Sequence, residues 1–139
     1  MYKLKIAKFG GSSLANAEQI RKAASIILDN PARRFVVASA PGKAPGADVK
    51  VTDLLYACYD AAAENGDVEA ALAAVQSRFQ AILDGLGVEF PLEAEIEALR
   101  LHLKSNPQRD YMASRGEHLN SKILAAFLGF PFVEAADCV

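Results

Sequence analysis

The chain has 139 residues, of which 52% are hydrophobic and 23% charged, and 15 basic against 17 acidic side chains give a net charge of −2. This composition fits a globular domain with a core and excludes a disordered chain, a collagen-like chain and a coiled coil. The charge balance argues against nucleic-acid binding, which needs clustered basic residues. No apolar run of about eighteen residues predicts a membrane span, and lysines at 3, 5 and 8 argue against a secretory signal. The two cysteines, Cys58 and Cys138, are too few for a disulfide framework or a zinc site, so we expect reduced thiols in a cytoplasmic protein.

Strands and helices are predicted to alternate along the chain. Apolar runs predict strands at 3–9, 34–39 and 131–137. Helical periodicity predicts helices at 17–29, 53–64, 68–86, 92–103 and 116–128. Strands separated by helices favour an α/β fold, in which a parallel-sheet core is covered by helices.

A glycine loop follows the first predicted strand. In the segment from Lys8 to Ser13, Gly10 and Gly11 allow the backbone to approach a ligand closely. Lys8 and the start of the next helix add positive charge, which suits a phosphate group. The spacing fits an ordinary strand-to-helix turn equally well. It matches neither the Walker A loop nor the G-x-G-x-x-G fingerprint, so a Rossmann-type dinucleotide binder is the least favoured class.

Three further segments carry polar groups. The loop from Ser39 to Lys43 follows the second strand, so it is expected to share a crevice with the glycine loop at the strands' carboxyl ends. Thr52 is predicted to cap the helix at 53–64. Arg115, Glu117 and their polar neighbours surround a glycine at a predicted helix start, where Glu117 would complement the helix dipole.

Four strings in this order resemble the aspartate kinases of the amino-acid kinase family. They are KFGGSSLA at 8–15, VVASAPGK at 36–43, KVTDLL at 50–55 and ASRGEHLNSKILAAFLGF at 113–130. The resemblance spans nearly the whole chain, and KFGGSS together with SRGE is its most specific part.

The resemblance implies ATP-dependent phosphorylation of the side-chain carboxylate of L-aspartate, the entry to lysine, threonine and methionine synthesis. It implies Lys8 as the catalytic residue. The residues that it assigns to the ATP phosphates are Lys8, Gly10, Gly11 and Ser12. The residues that it assigns to the amino acid are Ser39, Thr52, Arg115 and Glu117. Mg²⁺ would bridge the ATP phosphates, and no metal ligand is identified in this sequence.

The resemblance also implies an amino-acid-kinase-like N-terminal lobe. Residues 1–139 would be the amino-acid-binding part of the catalytic domain, without the nucleotide lobe and the regulatory ACT domains. We therefore expect the 139-residue chain to be inactive by itself, and we expect a homo-oligomer because exposed sheet edges pair readily. Two alternatives stay open: a kinase of the same family with another acceptor, and a non-catalytic binding or assembly module.

Overall fold

The computed structural model describes residues 3–139 and has the predicted α/β architecture. Two strands, five α-helices and two short 3-10 turns are found in this part of the chain. In order they are β1 (Lys5–Phe9), a 3-10 turn (Ser12–Leu14), α1 (Ala17–Leu28), β2 (Arg33–Ala38), α2 (Val51–Ala63), α3 (Val68–Leu86), α4 (Leu92–Ser105), α5 (Arg109–Leu128) and a second 3-10 turn (Ala135–Cys138).

The two strands are parallel and present two unlike faces. Ile6 lies beside Phe35 and Lys8 beside Val37 in the register. The alternate positions face the helices, and Ala38 is buried in the core. On the other face Ile6 is 74% exposed, Phe35 57% and Val37 49%. Helices therefore cover one side of the sheet in the described residues.

The hydrophobic core lies between the helices and the covered side of the sheet. Helix α3 contributes a complete apolar face at helical spacing: Leu72, Val75, Phe79, Ile82, Leu83 and Leu86. The helix begins after Asp67, whose side chain accepts a hydrogen bond from the Ala70 N–H at 2.9 Å. It ends at Gly87, whose φ of 68° is the left-handed conformation that glycine adopts without strain. None of the helices in residues 3–139 is long and apolar enough to cross a membrane.

Two predicted helix starts are wrong. Helix α2 begins at Val51, so Thr52 lies inside its first turn and is not the cap. The Val51 N–H donates to the Pro41 carbonyl oxygen at 3.1 Å, which lets the helix start without a side-chain cap. Helix α5 begins at Arg109, so Gly116 lies in its interior. A glycine there weakens the local helical signal, and it is tolerated because α5 packs closely against Ala40 at this position.

The predicted third strand at 131–137 is also wrong. Residues 131–134 are not part of a sheet and lead into the 3-10 turn, because no strand in the described residues pairs with them. The segment packs on α5 instead. Glu134 lies 3.2 Å from Nδ1 of His118, and the Phe132 ring meets the His118 ring edge-on at 5.5 Å.

Candidate active site

A cleft of about 440 Å³ opens where β1 and β2 end. It receives residues from both strand-end loops, from the start of α2 and from α5. The lining residues are Gly11, Ser12, Ser39, Ala40, Pro41, Gly42, Lys43, Lys50, Thr52 and Glu117. Five of the residues predicted from the sequence are thus brought together: Gly11, Ser12, Ser39, Thr52 and Glu117.

The two strand-end loops interlock through their backbones. The Gly42 N–H donates to the Gly11 carbonyl oxygen at 2.8 Å. A Cβ atom on Gly42 would lie 2.8 Å from the Gly11 carbonyl carbon, and one on Gly11 would lie 3.0 Å from the Ala40 carbonyl oxygen. Both contacts are with backbone atoms, which cannot rotate away. The close approach therefore requires glycine at position 42, and a side chain at position 11 would force the Ala40 carbonyl group to shift by a few tenths of an ångström.

Helix α1 begins at Ala17, as predicted, but it does not follow the glycine loop directly. The glycine loop leads into the 3-10 turn Ser12–Leu14, and α1 begins beyond it at Ala17. Asn16 is the N-cap of α1, and its side chain accepts a hydrogen bond from the Gln19 N–H at 2.9 Å. The α1 start is therefore capped by its own chain and does not lie directly behind Gly10 and Gly11. Any anion at this loop would depend on the loop's own N–H groups and on nearby side chains.

Ser39 is held by both the sheet and α5. Its N–H donates to the Phe9 carbonyl oxygen at 3.1 Å. Its carbonyl oxygen accepts a hydrogen bond from Nδ2 of Asn120 at 2.8 Å. Asn120 is fully buried, and its Oδ1 atom has no hydrogen-bond partner in the described residues. A buried polar atom without a partner costs about 1–3 kcal/mol, so the Asn120 Oδ1 atom lowers the free energy of unfolding.

Close packing at Gly116 brings Glu117 to the cleft. A Cβ on Gly116 would lie 2.9 Å from the Ala40 Cβ, 3.2 Å from Leu55 Cδ1 and 3.3 Å from Val51 Cγ1. The absence of a side chain thus lets α5 approach both the loop after β2 and helix α2. Glu117, the next residue, is exposed at the cleft and forms no salt bridge with another residue in 3–139.

Three of the predicted site residues do not line the cleft. Lys8 is exposed on the uncovered face of the sheet, and Gly10 is also exposed. The Arg115 guanidinium lies 4.4 Å from the centre of the Tyr111 ring, and its Nε and Nη2 atoms donate to Ser114 Oγ at 3.2 Å. The sites proposed for Lys8, Gly10 and Arg115 therefore rest on the resemblance alone.

Arg78, which no sequence motif marks, joins three segments near the cleft. This α3 residue donates to the carbonyl oxygens of Gly42, of Val49 at 2.7 Å and of Ala15 at 3.0 Å. Burial lowers the pKa of its guanidinium from the ordinary value. On the sequence it resembles any arginine of an amphipathic helix, so no signal distinguishes it.

The cleft offers hydroxyl groups, backbone N–H groups, two ammonium groups and one carboxylate. This donor set suits a small anionic ligand that also carries a positive group. No three His, Cys, Asp or Glu side chains between residues 3 and 139 are placed to hold a metal ion together.

The fold and the cleft define an α/β protein with an open cleft at the carboxyl ends of two parallel strands. The amino acid kinase family model matches residues 3–138. The chain belongs to the amino acid kinase family.

Individual relatives are aspartate kinases. The chain is 38% identical to Aspartokinase 3 of Bacillus subtilis over 95% of its length, and 29% identical to the chloroplastic Aspartokinase 2 of Arabidopsis thaliana over 88%. It spans 30% and 24% of these two relatives. Among solved structures, the aspartate kinase of Clostridium acetobutylicum matches with a TM-score of 0.88 and 35% identity, over 94% of this chain and 30% of that one.

A more distant solved structure shares the fold. Aspartokinase III of Escherichia coli, solved with aspartate and ADP, matches with a TM-score of 0.70 and 23% identity. The match covers 91% of this chain and 29% of that one.

Proposed function

We propose that this chain is the amino-acid-binding part of an aspartate kinase, which uses ATP to phosphorylate the side-chain carboxylate of L-aspartate. The observation that carries the proposal is the cleft, in which Glu117 meets the hydroxyl-bearing Ser39 and Thr52 beside the interlocked glycine loops. The 38% identity with an aspartokinase supports the choice of substrate.

The proposed reaction requires no covalent intermediate with the protein. An aspartate side chain has a pKa of about 3.9 and is already ionised at neutral pH, so its oxygen needs no general base. That oxygen forms a bond to the γ-phosphorus of ATP, the bond from this phosphorus to the β-phosphate oxygen breaks, and ADP leaves. The product is an acyl phosphate. Catalysis of such a transfer depends mainly on positioning and on neutralising negative charge.

The residues of the cleft fit these two tasks. The free carboxylate of Glu117 would pair with the ammonium group of the amino acid, and Ser39 and Thr52 would hydrogen-bond it. Backbone N–H groups at Gly11 and Ser12 would hold phosphate oxygens. On the resemblance alone, the N–H of Gly10 would join them and Lys8 would stabilise the charge of the transferred group. Mg²⁺, when bound, would neutralise part of the charge on the ATP phosphates.

The relatives suggest where the rest of the enzyme lies. Since the chain spans 30% of Aspartokinase 3, we propose that the nucleotide lobe and any regulatory domain lie outside residues 1–139. The isolated chain would then bind the amino acid without transferring a phosphoryl group. A cytoplasmic location and self-association are part of the proposal, in keeping with the free thiols and the exposed apolar side of the sheet.

Calorimetric titration of the 139-residue chain with L-aspartate tests the binding site. We expect binding in the millimolar range or tighter, and a loss of about tenfold or more in Glu117→Gln, because a charge-assisted hydrogen bond is removed. Glu89→Gln is the matched control, since Glu89 is exposed and does not line the cleft. Equal affinity of Glu117→Gln and the unaltered chain would overturn the proposed site.

A hydroxamate assay with ATP and L-aspartate tests the division of the enzyme. No acyl phosphate is expected from the 139-residue chain alone. A signal that depends on both substrates would contradict the placement of the nucleotide lobe outside this chain.

A further inference from the structure

Lys43 and Lys50 line the same cleft as Glu117, and the resemblance assigns neither of them a role. Both lysines are exposed. Neither forms a salt bridge with any residue in the described part of the chain. Two positive charges are therefore available to a ligand.

One closed loop brings the two lysines to the cleft. Its ends are joined because the Val51 N–H donates to the Pro41 carbonyl oxygen at 3.1 Å. Within the loop, Ala44 and Ala47 exchange two backbone hydrogen bonds, at 3.1 and 2.8 Å. Lys43 and Lys50 thus lie close to the two joined ends of the loop, Lys43 near its first residue and Lys50 next to its last.

Arg78 fastens the loop immediately before each lysine. Its guanidinium donates to the carbonyl oxygen of Gly42, which precedes Lys43, and to that of Val49, which precedes Lys50, at 2.7 Å for Val49. The planar guanidinium is suited to hold two such acceptors at once. The backbone that carries both lysines is consequently ordered before any ligand binds, which lowers the entropic cost of binding.

The charges in the cleft match one class of ligand. Two ammonium groups and one carboxylate are complementary to a molecule with two carboxylates and one ammonium group. A nucleotide polyphosphate would satisfy the lysines, but it would leave Glu117 facing negative charge. We infer that Lys43 and Lys50 form a carboxylate-binding pair that selects an amino acid with a second acidic group. This inference rests on the proposed function of the cleft and adds the residues that determine specificity.

The comparison of L-aspartate with L-asparagine tests the inference. Asparagine has nearly the same shape but lacks the second carboxylate. We expect the unaltered chain to bind aspartate about tenfold or more tightly than asparagine, as a charge-assisted contact would give. In the double variant Lys43→Gln/Lys50→Gln, the affinity for aspartate should fall further than that for asparagine, so that the preference for aspartate is lost.

Lys104→Gln is the matched control, because Lys104 is an exposed lysine of α4 outside the cleft. Thermal unfolding of all variants verifies that the fold is intact. If the double variant still prefers aspartate by the same factor, the inference is overturned. It is also overturned if the variant loses affinity for ADP and retains it for aspartate, since the lysines would then serve phosphates.

The same titrations separate this inference from the proposed function. If L-glutamate binds more tightly than aspartate and its binding depends on the lysine pair, the inference stands and the choice of aspartate fails. If neither dicarboxylate binds the unaltered chain, both fail.

Discussion

Replacing Gly116 by alanine tests whether close packing of α5 sets the geometry of the cleft. Alanine favours a helix interior over glycine by about 1 kcal/mol, which by itself would stabilise the variant. The new methyl group, however, would lie 2.9 Å from the Ala40 Cβ, which has no side-chain torsion to move it away. Overpacking of this kind costs about 1–3 kcal/mol. We therefore expect a net loss of about 0–2 kcal/mol in the free energy of unfolding.

A double-mutant cycle isolates the contact. Ala40→Gly removes the methyl group that the new side chain would meet, so the two substitutions together should be less destabilising than their sum. The coupling energy should be about 1–2 kcal/mol, within the range measured for residues in contact. Urea unfolding of the four proteins gives this value. Ala126→Gly, at an exposed position of the same helix, measures the alanine-to-glycine difference without a clash.

The L-aspartate affinity and the free energy of unfolding together show whether the contact at Gly116 sets the position of α5. If Gly116→Ala moves α5 away from the loop after β2, it also moves Glu117, and L-aspartate affinity should fall in the single variant and recover in the double one. Additive effects on stability would refute the reasoning. So would a Gly116→Ala protein that is more stable by the full helical preference, because the contact would then cost nothing.

Three further predictions concern buried groups. Asn120→Leu removes the unpaired Oδ1 but leaves the Ser39 carbonyl oxygen without its donor. Each buried unpaired group costs about 1–3 kcal/mol, so the two effects should nearly cancel, and the free energy of unfolding in urea should change by less than about 1 kcal/mol. Calorimetry should show weaker L-aspartate binding, because Ser39 loses its contact with α5. Burial, together with the nearby cations Arg115 and Lys122, lowers the pKa of His118. The unfolded chain therefore binds this proton at a higher pH than the folded chain does, and the free energy of unfolding should fall as the pH drops below about 6.5. In urea unfolding His118→Gln should reduce this dependence on pH, and an unchanged dependence would exclude His118 as its source. Burial raises the pKa of the Cys58 thiol to about 11, so at pH 8 a thiol reagent should modify Cys138 alone in the native protein and both cysteines in denaturant.

Elements with a strong period could be predicted from the sequence. Helix α3 matches the predicted range because six apolar residues mark one face and Asp67 and Gly87 mark its ends. The start of α2 was misplaced because Thr52 is a typical cap residue, whereas the helix begins at Val51, whose N–H donates to the Pro41 carbonyl oxygen at the other end of the preceding loop. The strand predicted at 131–137 failed because a strand needs a neighbour, and apolar residues in a row do not show whether one is present.

The candidate site could be predicted where motifs mark it. Ser12, Ser39, Thr52 and Glu117 lie in recognisable strings, and all four line the cleft. Lys50 also lies in one of these strings, but its place at the cleft could not be predicted, because a lysine before a helix is an ordinary surface residue until the loop is seen to close.

Three residues that do not line the cleft nevertheless hold its segments together. Gly116 is a glycine inside a helix, Asn120 buries an unpaired oxygen, and Arg78 is a partly buried cation that donates to three carbonyl oxygens. Each feature is unfavourable locally, and each joins one segment of the cleft to another. Such local conflicts are expected where function, not stability, determines the choice of residue. Gly116 and Asn120 lie within the string at 113–130, whereas Arg78 lies in none of the four strings and points to the same cleft independently of them.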